Sequence, residues 1–463
     1  MISTPSQPMK VDLDLVKKYN RPGPRYTSYP PATQFTDDVS PSDLLQCIQR
    51  NNENNRDLSL YFHLPFCESL CWFCGCTTVI TSKTDQSSRY ISYLEKELDW
   101  MRKRLDPQRQ VTQLHFGGGT PTFLPPDQIR TLGEVIHSRF KFAEDIEAGV
   151  EVDPRRLTRD HVKAFHQMGC RRASMGVQDN QPEVQQAIHR IQPLDLTRQA
   201  VDWIREEGYT SINIDLIFGL PHQTVKAFEQ TLEEILELAP DRFAVFSYAH
   251  VPWIKPAQKI FKDEALPTPE TKLELLKLTT EKLTGAGYVY IGMDHFARPD
   301  DELVKAQLNK TLQRNFQGYS TRGNADIYSF GMSSISQIPE AYWQNRKELD
   351  RYYTALDADQ WPVARGYILT PEDQLRRQTI MRLMCDLGLD YQEMDRLLSI
   401  RFTEHFAREL ASLEDLIADG LVRVTQQGIT VTELGRLLIR NIAMHFDAYL
   451  PGQQREGRYS KTI

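Results

Sequence analysis

From about residue 58 the chain alternates between short apolar runs and amphipathic ones. LSLYFHL, VTQLHF, AGVEV, RASMGVQ, SINIDLIF and RFAVFSYA are apolar or alternating stretches of strand length, which predicts strands. Helix-like segments separate most of them: SRYISYLEKELDWMRKRL, TRDHVKAFHQMG and TVKAFEQTLEEILEL. In the second, Thr158 is a fitting N-cap and Gly169 a fitting C-cap. Strands alternating with helices imply βαβ units and a parallel sheet. Six such units predict an α/β fold, a partial (β/α)6 barrel whose reactive groups gather at the C-terminal ends of the strands. YVYIGMDHFA predicts one further strand.

The two ends of the chain read differently. Residues 19–35, YNRPGPRYTSYPPATQF, hold four prolines and three tyrosines. Proline fixes φ and removes donors, so this stretch is extended or turn-rich. Its aromatics set it apart from a disordered tail. After about residue 340, PEDQLRRQTIMRLMCDLG and EHFARELASLEDLIADG read as amphipathic helices, and LVRVTQQGITVTELGRLLI as a hairpin and a helix. The helix–hairpin–helix order is that of a winged helix. Three units are therefore expected: an N-terminal segment over 1–36, a catalytic barrel over 37–340 and a mainly helical domain over 341–463.

Charge narrows the function classes. The 463 residues carry a net charge of −7, which speaks against general nucleic-acid or anionic-membrane binding. Residues 401–450 hold five Lys/Arg against seven Asp/Glu, the wrong sign for a DNA-reading face. The opening MISTPSQPMKVDLD lacks the apolar core of a signal peptide. No apolar run approaches the ~20 residues of a membrane helix. Four of the seven cysteines lie together, unlike a secreted disulfide framework. A cytoplasmic, monomeric enzyme is expected, without nucleic acid or membrane as partner.

Those four cysteines stand in CESLCWFCGC, with spacing C-x3-C-x2-C-x-C. Structural zinc usually takes two separated knuckles, and only one is present. Thiolates also hold iron–sulfur clusters. Three cysteines at C-x3-C-x2-C suit three irons of a [4Fe–4S] cluster and leave the fourth open. HFGGGTPTFL follows the second strand; its glycines let the backbone approach a ligand, and it lacks the G-K-[ST] of a P-loop. Glu151, Gln178 and Asp215 fall at or near strand ends, and Tyr61 alternates on the first strand. A carboxylate in an apolar strand is costly unless bonded. Arg190 reads as a surface arginine or as a clamp for a carboxylate.

Cys67, Cys71, Phe73 and Cys74 match the radical S-adenosylmethionine (SAM) signature C-x3-C-x-φ-C, and the chain resembles that superfamily. YNRPGPRYTSYPPATQF, CESLCWFCGC, GGGTPTFL, EVDPRRLT, ASMGVQDN, INIDLIFGLP, RGNADIYSFGMSSIS and ARGYILTPEDQLRRQTIMRLMC extend the resemblance to the oxygen-independent coproporphyrinogen III oxidase family, over roughly residues 19 to 445. The resemblance implies that Cys67, Cys71 and Cys74 bind the cluster, whose open iron takes SAM; Cys76 has no place in the general signature. It implies that Tyr61, Gly118, Glu151 and Ile335 contact this SAM. Phe73, Gly119, Thr120, Gln178, Arg190, Asp215 and Ala249 match positions near a second one. The implied reaction turns two propionates of coproporphyrinogen III into vinyl groups by a 5′-deoxyadenosyl radical, giving protoporphyrinogen IX for haem synthesis. It further implies a reducing electron donor such as a flavodoxin or ferredoxin, and an electron acceptor. No catalytic residue beyond cluster and cofactor is assigned.

The substrate joins carboxylates to an apolar macrocycle and needs cations beside aromatic surface. Residues 10–26 carry Lys10, Lys17, Lys18, Arg21 and Arg25 against Asp12 and Asp14, with Tyr19 and Tyr26. Arg21, Arg25, Tyr26 and Arg322 are the expected substrate contacts, with the segment folded over the barrel mouth. Two other readings stay open: a haem-handling radical protein without decarboxylase activity, and a zinc-binding regulator.

Overall fold

The six runs form β1 (Leu58–Leu64), β2 (Gln110–Gly118), β3 (Lys141–Val152), β4 (Arg172–Gln178), β5 (Ser211–Phe218) and β6 (Arg242–Ser247) in a computed structural model describing residues 8–450. Residues 1–7 of the expected N-terminal segment and 451–463 of the expected C-terminal domain lie outside the described residues. β1 to β6 pair in parallel in chain order. YVYIGMDHFA is not one strand but two, β7 (Val289–Gly292) and β8 (His295–Ala297), antiparallel across a turn in which Met293 takes φ 55. β8 pairs antiparallel with β6.

A seventh parallel strand, β9 (Asp326–Phe330), adds to the free side of β1. The antiparallel strands β10 (Ile335–Gln337), β11 (Ala341–Asn345) and β12 (Val363–Ile368) follow outward. The sheet thus has twelve strands in the order β12-β11-β10-β9-β1-β2-β3-β4-β5-β6-β8-β7 and does not close on itself. It also runs past residue 340, the expected start of the helical domain, as far as Ile368.

Alternation along the strands sorts residues to two faces. On one, Phe62 stacks on Phe116 and Phe330, each at 5.3 Å, and Phe116 meets Phe165 at 5.6 Å on the helix Arg159–Gln167. All four rings are buried; removing one costs about 3–5 kcal/mol. That helix starts at Thr158, whose hydroxyl accepts from the His161 N–H, and is followed by Gly169 at φ 111. The opposite face carries polar rows set by register: Tyr61, His115 and Gly149, then Glu151, Ser174 and Asn213, then Gly176, Asp215 and Ala244.

The C-terminal part opens with the helix Pro371–Asp386, capped by Thr370. A three-stranded sheet of β13 (Gly388–Asp390), β14 (Val422–Val424) and β15 (Gly428–Val431) follows, in the order β13-β15-β14. EHFARELASLEDLIADG is not one helix but three short ones, Phe402–His405, Ala407–Ala411 and Glu414–Ala418.

The Pro-rich N-terminal stretch is ordered by this C-terminal part. The Tyr19 hydroxyl donates to Asp419 at 2.5 Å, Asn441 Nδ2 to Tyr19 O at 2.7 Å, and Arg440 Nε to Pro24 O at 3.1 Å. Tyr26 is 1% exposed, with its hydroxyl on Asp447 Oδ2 at 2.8 Å. The Ala448 N–H donates to Tyr29 Oη at 3.0 Å. Rings and hydroxyls expected to face a substrate are instead turned inward. Among the described residues no helix is long and apolar enough to cross a membrane.

Candidate functional site

β1 stops at Leu64, and two residues later Phe66–Cys67 pairs in parallel with Val79–Ile80. This pairing closes residues 68–78 into a loop at the C-terminal edge of the sheet. The loop is held from outside. Trp72 N–H donates to Ile188 O at 3.0 Å, and its ring stacks on His189 at 4.9 Å. Phe73 packs against the buried cluster of Val184, Ile188, Ile217 and Leu220. Gln258 Nε2 donates to both Phe73 O at 3.2 Å and Ala249 O at 3.3 Å, and Lys255 Nζ to Cys76 O at 3.0 Å.

The glycine run meets the loop edge-on. Gly119 N–H donates to Leu64 O at 2.8 Å and Thr120 N–H to Phe66 O at 2.9 Å. A Cβ on Gly119 would lie 2.5 Å from Pro65 O. Gly118, at φ 115, would place one 2.6 Å from His63 Nδ1. Close approach within the protein thus requires glycine at both positions.

A cavity of about 170 Å³ opens between these parts. Its walls include Cys67, Cys71, Cys74, Phe73, Gly118, Gly119, Thr120, Glu151, Gln178, Arg190 and Asp215. Gln178 sits at an irregularity of β4, with φ 71. Three expected cofactor contacts are not among the lining residues. Tyr61 stacks on His115 at 6.0 Å. Ala249 is exposed just beyond β6. Ile335 packs beside Phe35 and Tyr342, its carbonyl accepting from Ser329 Oγ at 2.5 Å.

The charges of the cavity are arranged in pairs. Arg190 is buried, not on the surface. Its Nη1 lies 3.2 Å from Asp153 Oδ2 and 3.7 Å from Cys71 Sγ, and Nη2 donates to Gly176 O at 2.7 Å. Arg155 Nη2 reaches the same oxygen and the same sulfur, 2.6 Å from Asp153 Oδ2 and 3.6 Å from Cys71 Sγ. Burial works against the Asp153 carboxylate, but the two guanidinium groups prevail and bring its pKa to about 2. For Glu151 burial is likewise outweighed, by His115 and by the Gly118 N–H at 3.1 Å, so it stays below the usual range. Asp215 goes the other way. Burial, reinforced by Glu151, lifts it to about 7 despite the Asn213 Nδ2 donor at 2.7 Å.

The cysteines differ among themselves. Burial raises Cys67 to about 11, with Thr120 Oγ1 3.3 Å away. Cys74 is lowered by donation from the Cys76 thiol and from its N–H at 3.4 Å. Cys76 is exposed and lines the cavity. Among the described residues no three His, Cys, Asp or Glu side chains are placed to hold one metal ion. A cluster instead spreads its thiolates over separate irons. Three thiols, with two guanidinium groups at one sulfur and a buried Arg190 Nε lacking a partner among the described residues, fit an anionic cluster with an anionic ligand beside it.

Asp153, Arg155 and Gln258 were not singled out from the sequence. The first two are legible in EVDPRR as opposite charges two apart, just past a strand end; Gln258 lies in a loop without signal. Of the expected substrate contacts, Tyr26 is excluded by its burial on Asp447. Arg322 is tied to Asp145 at 2.9 Å, near the start of β3 and roughly 20 Å along the strand from Glu151. Arg21 is exposed. Arg25 lies over the ring of Phe246 on β6, at 5.8 Å.

A sequence profile of the Radical SAM superfamily matches residues 61–235, and one of the HemN C-terminal domain matches 369–438. The chain is 44% identical over 454 residues to the oxygen-independent coproporphyrinogen III oxidase of Synechocystis sp., covering 97% of each. It is 46% identical over 452 residues to that of Escherichia coli K12, covering 98% of each. A solved structure of E. coli coproporphyrinogen III oxidase (HemN), described as a radical SAM enzyme, superposes with a TM-score of 0.91 at 45% identity, over 96% of this chain and 100% of the other.

Proposed function

The chain belongs to the oxygen-independent coproporphyrinogen III oxidase family of radical SAM enzymes, and we propose that it converts two propionates of coproporphyrinogen III to vinyl groups without oxygen, giving protoporphyrinogen IX. The observation that carries this is the loop of Cys67, Cys71 and Cys74 opening, with Arg155 and Arg190 at Cys71, into a cavity bounded by the glycine run and Glu151.

A [4Fe–4S] cluster on the three cysteines, with SAM at its open iron, supplies one-electron chemistry and hydrogen-atom abstraction when bound. The protein's share is position and exclusion of water. Arg155 and Arg190 place positive charge against the Cys71 sulfur and so offset thiolate charge. Glu151, kept ionised by His115 and the Gly118 N–H, offers a fixed anion to a cationic amine. Asp215, lifted to about 7 by burial and by Glu151, can donate or accept a hydrogen bond at the same wall. Gln258 fixes Phe73 relative to Ala249, keeping the far rim of the loop in place.

In the same reading, Tyr61, Gly118, Glu151 and Ile335 serve the SAM on the cluster. A second SAM rests on Phe73, Gly119, Thr120, Gln178, Arg190, Asp215 and Ala249. That second site is supported by six of these seven lining one cavity, with Ala249 linked to Phe73 through Gln258. The chain divides into a covering segment (1–36), a catalytic unit from residue 37 and a helical C-terminal domain. The extent of the large sheet favours ending the catalytic unit at Ile368. A cytoplasmic place is supported by seven free cysteines. A flavodoxin or ferredoxin as electron donor is supported by exposed Trp253 and Ile254 beside Lys255 and Cys76. The enzyme is taken to act as a monomer, without nucleic acid.

The test is anaerobic reconstitution with iron and sulfide, followed by incubation with a reductant, SAM and coproporphyrinogen III. Brown colour, CO2 release and protoporphyrinogen are expected together. SAM cleavage without protoporphyrinogen would favour a haem-handling relative, and a colourless zinc protein would refute the radical reading.

A further inference from the structure

One strand beyond the cavity, the polar face of the sheet carries a second group of charges. The register pairs Asp215 with Ala244 and Ala244 with His295, so the three share a row. Two strand spacings separate Asp215 from His295, roughly 10 Å. Only the methyl of Ala244 stands between them. Phe246, two residues along β6, is on the same face.

Around His295 stand Asp294, Arg25 and Arg314. Arg25 forms an ion pair with Asp294 while lying over Phe246. Arg314 is buried, with Nε on Arg25 O at 3.3 Å and its guanidinium 4.8 Å from the Tyr319 ring centre. Arg440 closes the site from the C-terminal part through the carbonyl of Pro24. The guanidinium groups of Arg25 and Arg314 thus stand beside His295 with one carboxylate, Asp294. Burial, assisted by Arg314, holds His295 at about 4, so its ring is neutral and does not add to the surplus.

Two atoms of the group lack hydrogen-bond partners among the described residues although both are buried: Arg314 Nη1 and His295 Nδ1. An unpaired buried donor is costly, and surplus buried charge more so. Buried unpaired groups are rare enough in native proteins to ask for a cause. A carboxylate would satisfy Arg314 Nη1, and also His295 Nδ1 in the tautomer that carries the proton there, and the flanking rings of Phe246 and Tyr319 suit a carboxylate carried on an apolar body.

We infer that Arg25, Arg314 and His295 seat a propionate carboxylate of the tetrapyrrole substrate, and that Asp294 occupies Arg25 until that carboxylate arrives. This rests on the decarboxylase reading above. It assigns Asp294 the part of an internal competitor, which gives the inference a sign that a merely structural ion pair lacks.

The experiment is fluorescence titration of the anaerobically reconstituted enzyme with coproporphyrin III, the oxidised analogue of the substrate, and with its tetramethyl ester as a probe without carboxylates. Asp294→Asn should tighten binding of the free acid several-fold, leave the ester unchanged, and lower KM for coproporphyrinogen III at constant kcat. Arg314→Gln should weaken the free acid by about tenfold or more, with Arg314→Lys recovering part. Iron content and circular dichroism equal to wild type qualify each variant, and Asp294→Asn decides should Arg314→Gln not fold. Unchanged affinity in Asp294→Asn, or equal losses for acid and ester in Arg314→Gln, would overturn the inference. Wild-type turnover with both variants indifferent sinks the inference alone. Wild type that neither binds the acid nor turns over coproporphyrinogen III sinks the functional reading, and the inference with it.

Discussion

Arg190 and Asp153 are joined directly beneath the cysteine loop, Nη1 to Oδ2 at 3.2 Å, with the same nitrogen 3.7 Å from Cys71 Sγ. The arginine comes from the segment after β4 and the aspartate from the end of β3, so the pair ties the loop to two strand ends at once. Arg190→Ala should cost about 3 kcal/mol, the lower end for breaking a buried pair, because Arg155 still holds Asp153. Removing a positive charge near the cluster should also make its reduction potential more negative. Thermal unfolding and a redox titration of the reconstituted protein check both. An unchanged potential would place Arg190 in the fold alone.

Cys74→Ser should abolish the cluster, and Cys76→Ser should keep it. The Cys76 main-chain N–H, which donates to Cys74 Sγ, survives the second change, and the side chain is not needed as a ligand. Iron content per chain and the visible absorption of each variant decide this. Iron lost equally in both would make Cys76 a ligand.

Glu97 should make stability fall as pH rises. It is buried on the helix Asp85–Arg102 and accepts from Gly331 N–H at 2.8 Å, Asn345 Nδ2 at 2.6 Å and the Tyr352 hydroxyl at 2.6 Å. Burial nonetheless lifts it from 4.5 to about 7. The folded state therefore holds a proton that the unfolded chain has released. Stability from this group is complete below pH ~4.5 and is lost by pH ~7, on the order of 3 kcal/mol. Glu97→Gln should flatten the fall of Tm between those values. An identical Tm profile in the variant would refute the assignment.

Tyr26→Phe should lower stability by about 1–3 kcal/mol, the cost of leaving buried Asp447 without this donor, and leave KM for coproporphyrinogen III unchanged. A raised KM at unchanged Tm would return Tyr26 to the substrate.

The strands and the cysteine motif were legible because each is local: periodicity marks β1 to β6, and three cysteines at fixed spacing need no knowledge of the rest of the chain. Strand-end positions also led to Glu151, Gln178 and Asp215. What escaped depends on distant pairing. β9 is short and carries charged Asp326 at its first position, where buried Arg109 neutralises it; the sequence between residues 109 and 326 hides that match. Met293 in the left-handed region turns one apparent strand into two. The tyrosines of residues 19–29 read as a surface for substrate because their partners, Asp419 and Asp447, lie some four hundred positions away.

That last separation bears on how the protein is made. Residues 18–29 are synthesised some four hundred positions before Asp419, Arg440, Asn441, Asp447 and Ala448, which hold them. At ordinary translation speeds the interval is roughly 20–80 s. The sheet can assemble during that time, and Arg25 can reach Asp294 at its edge, but the tyrosines of the segment still lack their C-terminal partners. A nascent chain stopped short of Asp447 should therefore be digested by protease near Tyr26 while its sheet resists, so that the docked segment marks a finished molecule.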